Sequence, residues 1–577
     1  MYVQNDTPLG GSLALSSLVA VLPLLTLFVL LGGLRMRAWL ASLIGLAVAL
    51  AVAILAYGMP VGQALLAGTE GAVFGFFPIL WIVINALWIY QMTVSTGHFD
   101  VLRRSFGSVS DDQRVQAVII AFCFGALLEA LAGFGTPVAI CTVMLMALRF
   151  SPLKAAVVAL VANTAPVAFG AIAVPITTLA SVTGLPEEAL GAMVGRQTPI
   201  LAVFVPFVLV GLVDGARGLR ETWPVALVAG VVFGAAQYAT SNFISLALTD
   251  IVAALLAAGA VVLLVRIRPP RHAELPAGAS QDTRETVSVS SGGDGGAGGD
   301  GGAGGRAGGG GGAATDAPAG SDHDDHSRDT RRDVFLAYAP YLIIIALFSI
   351  QQIPVVDDAL GATTTKFNWP GLNVLTEAGK PVSTQAFTLN WLESAGTILL
   401  IAGVLTAVVL RVRPGVAVAA YWRTLVQLRT AIVTVMAVLA LAYVMNTSGQ
   451  TLTLGGLLAG TGGFFAVLSP VLGWLGVAVT GSDTSANSLF GALQVTAARG
   501  AGLDPILLAA ANSSGGVLGK MISPQNLAIA ASAVAMSGRE GEILRRVLLW
   551  SLVFLAGMCV LVLLQSTPVL GWMVVAG

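Results

Sequence analysis

Runs of about 18 to 25 apolar residues that exclude charge recur along this chain, each long enough for an α-helix to cross roughly 30 Å of hydrocarbon. The first covers Leu13 to Leu34, and others lie near 38–57, 73–92, 115–131, 137–148, 155–175, 198–213, 223–239 and 243–265. After a gap they resume near 334–350, 391–410, 429–446, 457–479, 485–498, 506–534 and 547–565. Strict alternation over ten-residue segments, the mark of a membrane β-barrel, is absent, so backbone hydrogen bonds must close within helices. The pattern predicts an all-α polytopic membrane protein with about 12–14 transmembrane helices. The first run is too long for a cleaved signal peptide and lacks its basic start, so it is read as a permanent span with no targeting segment removed.

Composition agrees with lipid as the solvent. The 577 residues are 56% hydrophobic and 10% charged, with a mean hydropathy of +0.86, whereas soluble domains carry about 25% charged residues. A net charge of -1 offers no basic field for nucleic acid. Cys123, Cys141 and Cys559 lie singly inside apolar runs, as small buried hydrophobes rather than a disulfide or metal framework, and no metal or cofactor is expected. The stretch 269–332, with GGDGGAGGDGGAGGRAGGGGGAA and SDHDDHSRD, cannot bury enough apolar surface to offset its ordering entropy. It is read as a flexible acidic linker between an N-terminal membrane half, 1–268, and a C-terminal half, 333–577.

Arginines and lysines such as Arg35, Arg103, Arg149, Lys154, Arg217, Arg266, Arg411 and Arg545 share one side if the amino terminus is outside, which makes the linker cytoplasmic. The segments from 115 to 148 must then leave and return to one side. A re-entrant hairpin with its tip at Gly133-Phe134-Gly135-Thr136-Pro137 meets that demand, because its second arm is short for a full crossing.

Two distant parts of the chain interrupt their apolar runs in the same way. The first places Glu129 before that tip and then has Asn163, Thr164, Pro166, Gly170 and Pro175. The second has Gly481, Ser482, Asp483, Thr484, Ser485 and Asn487, then Asn512, Ser513, Ser514, Gly519, Lys520 and Pro524. Asn163 precedes Gly170 by seven residues and Pro175 by twelve; Asn512 precedes Gly519 and Pro524 by the same intervals. The spacing predicts an internal duplication, inverted across the membrane, with hairpins at 115–148 and 457–498 and broken helices at 155–175 and 506–534. Helices broken by Gly and Pro in mid-membrane expose amide groups that hold an anion without a full positive charge.

An ionised carboxylate at the bilayer centre costs about 2.5–3.5 kcal/mol on insertion scales, so Glu129 and Asp483 are candidate proton-coupling residues. Structurally, Asp483 also suits a helix N-cap. Lys520 is the cationic partner for a substrate carboxylate or for Asp483, unless it snorkels to an interface. Candidate substrate contacts are Gly133, Gly135, Thr136, Asn163, Thr164, Ser482, Thr484, Asn487, Asn512, Ser513, Ser514 and Lys520. Glu70 is either a third intramembrane carboxylate or interfacial. Asp250 starts a span and is expected at a membrane surface. SGGVLGKM imitates a phosphate loop, but Met521 stands where a magnesium-binding hydroxyl belongs. His98, His272, His323 and His326 all fall outside the spans.

EALAGFGTPVAI, ANTAPVAFGAIAVPI, TGSDTSANSLFGALQ and AANSSGGVLGKMISPQN resemble the characteristic stretches of the L-lactate permease family, over nearly the whole chain except the linker. The resemblance implies a proton symporter for L-lactate, with D-lactate and glycolate as further substrates, in a prokaryotic plasma membrane. It implies paired hairpins and broken helices in a moving transport domain. The Gly- and Asp-rich insert departs from the family pattern. The partners expected are a small carboxylate, a coupling proton and the lipid bilayer; an oligomer is compatible with the sequence. A sodium-coupled carboxylate carrier is the nearest alternative and a passive anion channel a more distant one. No nucleophile-base pair or metal cluster lies at depth, which argues against an enzyme.

Overall fold

Helices carry most of the chain in the computed structural model, which describes residues 2–575 apart from 111, 134, 269–328, 378 and 383–384. Among the described residues, ten helices are long and apolar enough to cross a membrane, or eleven if the bent pair Pro152–Ala162 and Val167–Thr183 counts as one span. The all-α membrane class expected from the sequence is what the chain adopts. The number of full-length spans is smaller than the run count because Thr136–Ala147 and Ala395–Val409 are short, and 198–213 and 223–239 fall within one helical stretch, Glu187–Phe243. Most of the expected linker lies outside the described residues, and its last two positions already belong to the helix Arg331–Gln351.

The burial pattern separates inner from outer helices. Every residue is buried over 114–133, 155–176 and 506–521, as expected of helices that are apolar all round. Outer helices turn large apolar side chains outward instead: Leu18 in Leu13–Gly33 is 66% exposed and Leu549 in Glu540–Gln565 is 63% exposed. A water-soluble surface would not carry so continuous an apolar face, so this one is lipid-facing.

Strands are few and short. Tyr2–Val3 pairs in parallel with Val374–Leu375, and Thr365–Asn368 pairs antiparallel with Ala386–Leu389. They gather the amino-terminal residues and the segment between Arg331–Gln351 and Ala395–Val409. The Tyr2 hydroxyl donates to the carbonyls of Ser448 and Tyr57 at 2.8 and 3.1 Å, and the Gln4 amide donates to those of Asn446 and Thr447. The bonds to Asn446, Thr447 and Ser448 satisfy carbonyls at the end of the helix Pro414–Ser448, where Gly449 turns left-handed at φ 99°.

Glycine lets the inner helices touch backbone to backbone. A Cβ at Gly473 would collide with the carbonyl of Asn512, one at Gly515 with that of Pro470, and one at Gly519 with that of Trp474. Phe465–Thr480 and Pro505–Gly519 therefore interlock through three glycines drawn from both helices, as membrane helices do when only van der Waals packing holds them. At the base of the first hairpin, Arg114 is buried and pairs with Asp112 at 2.7 Å, Glu221 at 2.6 Å and Asp214 at 3.2 Å. Lys154 donates to the Val213 carbonyl at 2.8 Å. Both cations thus clamp the kink at Asp214 and Gly215 in the helix Val205–Phe243.

Because Gly515 has no room for side-chain atoms, Gly515→Val is expected to destabilise the fold by about 1–3 kcal/mol. Gly259→Val, where nothing lies within 4 Å of the added Cβ, is expected to leave it unchanged. Thermal unfolding of the two purified variants in detergent checks the contrast, and equal midpoints would remove the interlock from the account of stability.

Candidate functional site

The first hairpin ends its inbound helix, Gly125–Ala132, at Gly133 and restarts at Thr136–Ala147 with Pro137 in the first turn. Gly135 sits at φ 84°, a left-handed conformation that favours glycine, and a Cβ there would strike Ile529. The tip therefore abuts Pro524–Ala533, the far arm of the second interrupted helix. Glu129 lies one turn before the tip and is 3% exposed. Phe134 lies outside the described residues.

The first interrupted helix stops after Pro152–Ala162, where Asn163, Thr164, Ala165 and Pro166 form a break with a 63° bend. Pro166 lacks an N–H and restricts the residue before it, so the first arm cannot continue. The second arm, Gly170–Thr183, opens with Ala171, Ile172 and Ala173 at φ 46°, 59° and 58°. Left-handed backbone at a residue with a side chain costs on the order of 1–3 kcal/mol, so the surrounding packing must hold this turn.

That break holds Glu129. Asn163 Nδ2 donates to Glu129 Oε2 at 2.9 Å, and Lys520 Nζ donates to Oε1 at 2.6 Å. A Cβ at Gly170 would lie 2.9 Å from Oε1, so glycine is what lets the carboxylate rest on the break. Lys520, 6% exposed, begins a short turn, Lys520–Ile522, between the arms Pro505–Gly519 and Pro524–Ala533. Its carbonyl accepts from Asn526 Nδ2 and Ser523 Oγ, each at 3.1 Å, which pins the break that carries the ammonium.

The second hairpin turns at Gly481, φ 76°, and Ser482 caps the arm Asp483–Gly500 by accepting from the Ser485 N–H. Asp483 points inward. Its Oδ2 accepts from Ser513 Oγ at 2.5 Å and from Asn487 Nδ2 at 3.4 Å, while Gly516 leaves room for Oδ1. Asn487 also donates to the Pro175 carbonyl at 3.0 Å in the first interrupted helix, and its Oδ1 accepts from Asn512 Nδ2 at 2.8 Å. Asn512 Oδ1 accepts from Gln494 Nε2 at 3.0 Å. Each hairpin thus contacts the interrupted helix of the other half.

The structure brings Glu129, Asn163 and Lys520 into one cluster and Asp483, Asn487, Asn512 and Ser513 into another. Lys520 lies within electrostatic reach of Asp483. Asp483, expected as a possible cap, leaves that task to Ser482, and Lys520 takes Glu129 as its direct partner. Thr164 spends its hydroxyl on the Val161 carbonyl. Thr136 starts the return arm, and Thr484 is buried behind Asp483. Asn163 Oδ1, Asp483 Oδ1 and Ser514 Oγ are buried without a partner among the described residues. A narrow cleft between the two interrupted helices is lined by Thr164 and Ala165 on one side and Val517 and Leu518 on the other. Asn163 and Asn512 are not in its lining.

Two polar residues, Gln494 and Asp250, take places that the sequence does not signal. Gln494 extends the Asn512 network from an otherwise ordinary helical run. Glu70, read as intramembrane or interfacial, is fully buried in Val61–Phe74. Asp250, expected at a surface, is 1% exposed and accepts from Gln237 Nε2 at 3.1 Å; its position at a helix start gave no measure of its depth.

Residues 16–569 match the family described as L-lactate permease. The chain is 40% identical to the L-lactate permease of Bacillus subtilis, over 99% of this chain and all of that protein. It is 39% identical to the glycolate permease GlcA of Escherichia coli, over 99% of each. Among solved structures, the YdaH transporter of Alcanivorax borkumensis aligns over 86% of each chain at 16% identity and a TM-score of 0.43.

Removing one member of a buried ion pair costs about 3–5 kcal/mol because the other is left uncompensated. Lys520→Met and Glu129→Gln are each expected to lower thermal stability, and the double variant to regain most of the loss. Unfolding midpoints of the wild type and the three variants form the double-mutant cycle; strictly additive losses would mean that the pair is not coupled.

Proposed function

The chain belongs to the L-lactate permease family, and from that premise we propose that it takes up L-lactate and related 2-hydroxymonocarboxylates, D-lactate and glycolate among them, in symport with protons. Membership makes it a permease and not an enzyme, and a multi-pass protein of a bacterial plasma membrane. The observation that carries the coupling is the buried contact between Lys520 Nζ and Glu129 Oε1.

A substrate carboxylate and the Glu129 carboxylate compete for the same ammonium. While Glu129 is ionised it occupies Lys520, and an arriving anion would leave one buried negative charge without a partner. Once Glu129 takes a proton, Lys520 is free to hold the substrate carboxylate. Binding of either then favours binding of the other, which is reciprocal coupling between two sites. Asn163 follows Glu129 in both states, since its amide donates to a carboxylate oxygen or to the carbonyl of the neutral acid. Amide groups at the two breaks, with Asn512, Ser513, Ser514 and Thr164, surround the rest of the substrate, and a hydroxyl among them meets the 2-hydroxyl.

The two hairpins with their interrupted helices act as inverted repeats, and the loaded unit shifts against the helices around Pro414–Ser448 to open inward. The acidic segment 269–332 is a cytoplasmic tether between the halves. Sodium coupling has one observation in its favour, the unpartnered oxygens of Asp483 and Ser514, and ion replacement separates the two readings.

In sealed vesicles, labelled L-lactate is expected to accumulate above equilibrium when the outside is made acidic, equally with and without sodium. Glu129→Gln is expected to retain exchange of labelled for unlabelled lactate while losing accumulation driven by the pH gradient. Accumulation that needs sodium and ignores the pH gradient would establish the sodium reading; flux that never exceeds equilibrium would establish a channel.

A further inference from the structure

Asp250 belongs to the helix Leu246–Ile267, which packs behind the first hairpin, and nothing in the coupling scheme above employs it. Its Oδ1 accepts from Gln237 Nε2, which also donates to the Ala165 carbonyl at 3.3 Å. Ala165 belongs to the break that grips Glu129 through Asn163, so one amide ties Asp250 to the coupling centre. Gln237 Oε1 in turn faces the Thr198 hydroxyl at 3.5 Å. Asp250 Oδ2 is buried with no partner among the described residues.

The charges within electrostatic reach of Asp250 lie on two elements, Glu129 on the first hairpin and Lys520 on the second interrupted helix. The neighbouring helix Val205–Phe243 offers the neutral Gln237. Lys520 is already in contact with Glu129 and is also within reach of Asp483. Three buried carboxylates therefore share one lysine. A second ionised carboxylate beside the Glu129–Lys520 pair would be uncompensated, at a cost of several kcal/mol. Neutrality of the cluster is met only if Asp250 and Asp483 are neutral while Glu129 is paired.

We propose that Asp250 is a second proton carrier of the transport site, holding a proton while Glu129 is paired with Lys520 and giving it to Glu129 when a substrate carboxylate takes the lysine. This rests on the symport reading. The O–H bond at Asp250 breaks as one forms at Glu129, and Asp250 then recovers a proton from solution, so one proton is consumed per carboxylate bound. Thr198, whose hydroxyl faces Gln237, also lines the small, mostly apolar cleft beside Thr164 and Ala165.

The test begins with wild-type vesicles. If lactate accumulation ignores the pH gradient, the symport reading fails before Asp250 is examined. With that coupling established, Asp250→Asn is expected to slow net uptake at neutral external pH by about 10- to 100-fold. Exchange of labelled for unlabelled lactate should remain near wild-type, and Asp250→Glu should restore net uptake. Acidic external pH should recover much of the Asp250→Asn rate, because Glu129 is then protonated directly. Wild-type net uptake in Asp250→Asn, or an equal loss of uptake and exchange at every pH, would overturn the proposal. Infrared spectra of the substrate-free protein give a readout independent of transport. The protonated-carboxyl absorption at neutral pH should lose one component in Asp250→Asn, with that of Asp483 remaining, and the same component should shift in Gln237→Leu, which keeps the acid and removes its hydrogen-bond donor. An unchanged band in both variants would equally overturn it.

Discussion

One buried ion pair joins the two halves of the permease: Lys520 and Glu129 lie 391 residues apart and meet at 2.6 Å. Taking two charges out of water is costly, and a buried pair seldom repays that cost in stability. In the proposed transport scheme its value lies in being replaceable: an ammonium held by a carboxylate that can be neutralised would be an anion site with a built-in competitor.

The pair can exist only because the breaks bring their residues to the same depth. Proline stops the first arm of the first interrupted helix, and Gly170 gives Glu129 a surface on which to lie. Gly516 does the same for Asp483 in the second half. The halves also exchange supports: the first hairpin's tip rests on Pro524–Ala533, and Asn487 of the second hairpin holds the Pro175 carbonyl. Freed backbone groups are thereby satisfied by the opposite half, as hydrocarbon demands.

The membrane class, the two polar interruptions and the burial of Glu129 and Asp483 were legible in the chain because lipid leaves few innocent reasons for Gly, Pro, Asn or a carboxylate in mid-span. Partners were not legible. Nothing local tells Lys520 to choose Glu129 over Asp483, since that choice depends on how two distant breaks are brought together. Depth was misleading at Asp250, because a residue at a helix start is exposed only if no neighbour covers it. That Asn163 bonds Glu129 while Asn512 bonds Asn487 and Gln494 was likewise hidden, since matched spacing says nothing of the partners that each copy meets in space.

The clamp of Arg114 on Asp112, Asp214 and Glu221 makes the first hairpin and the kinked helix Val205–Phe243 share a single root. Breaking it would leave the buried guanidinium of Arg114 or the buried carboxylate of Asp112 uncompensated, so the root is costly to part. A hairpin anchored in this way is a beam held at both ends, its base on the bent helix beside it and its tip on Pro524–Ala533 of the other half.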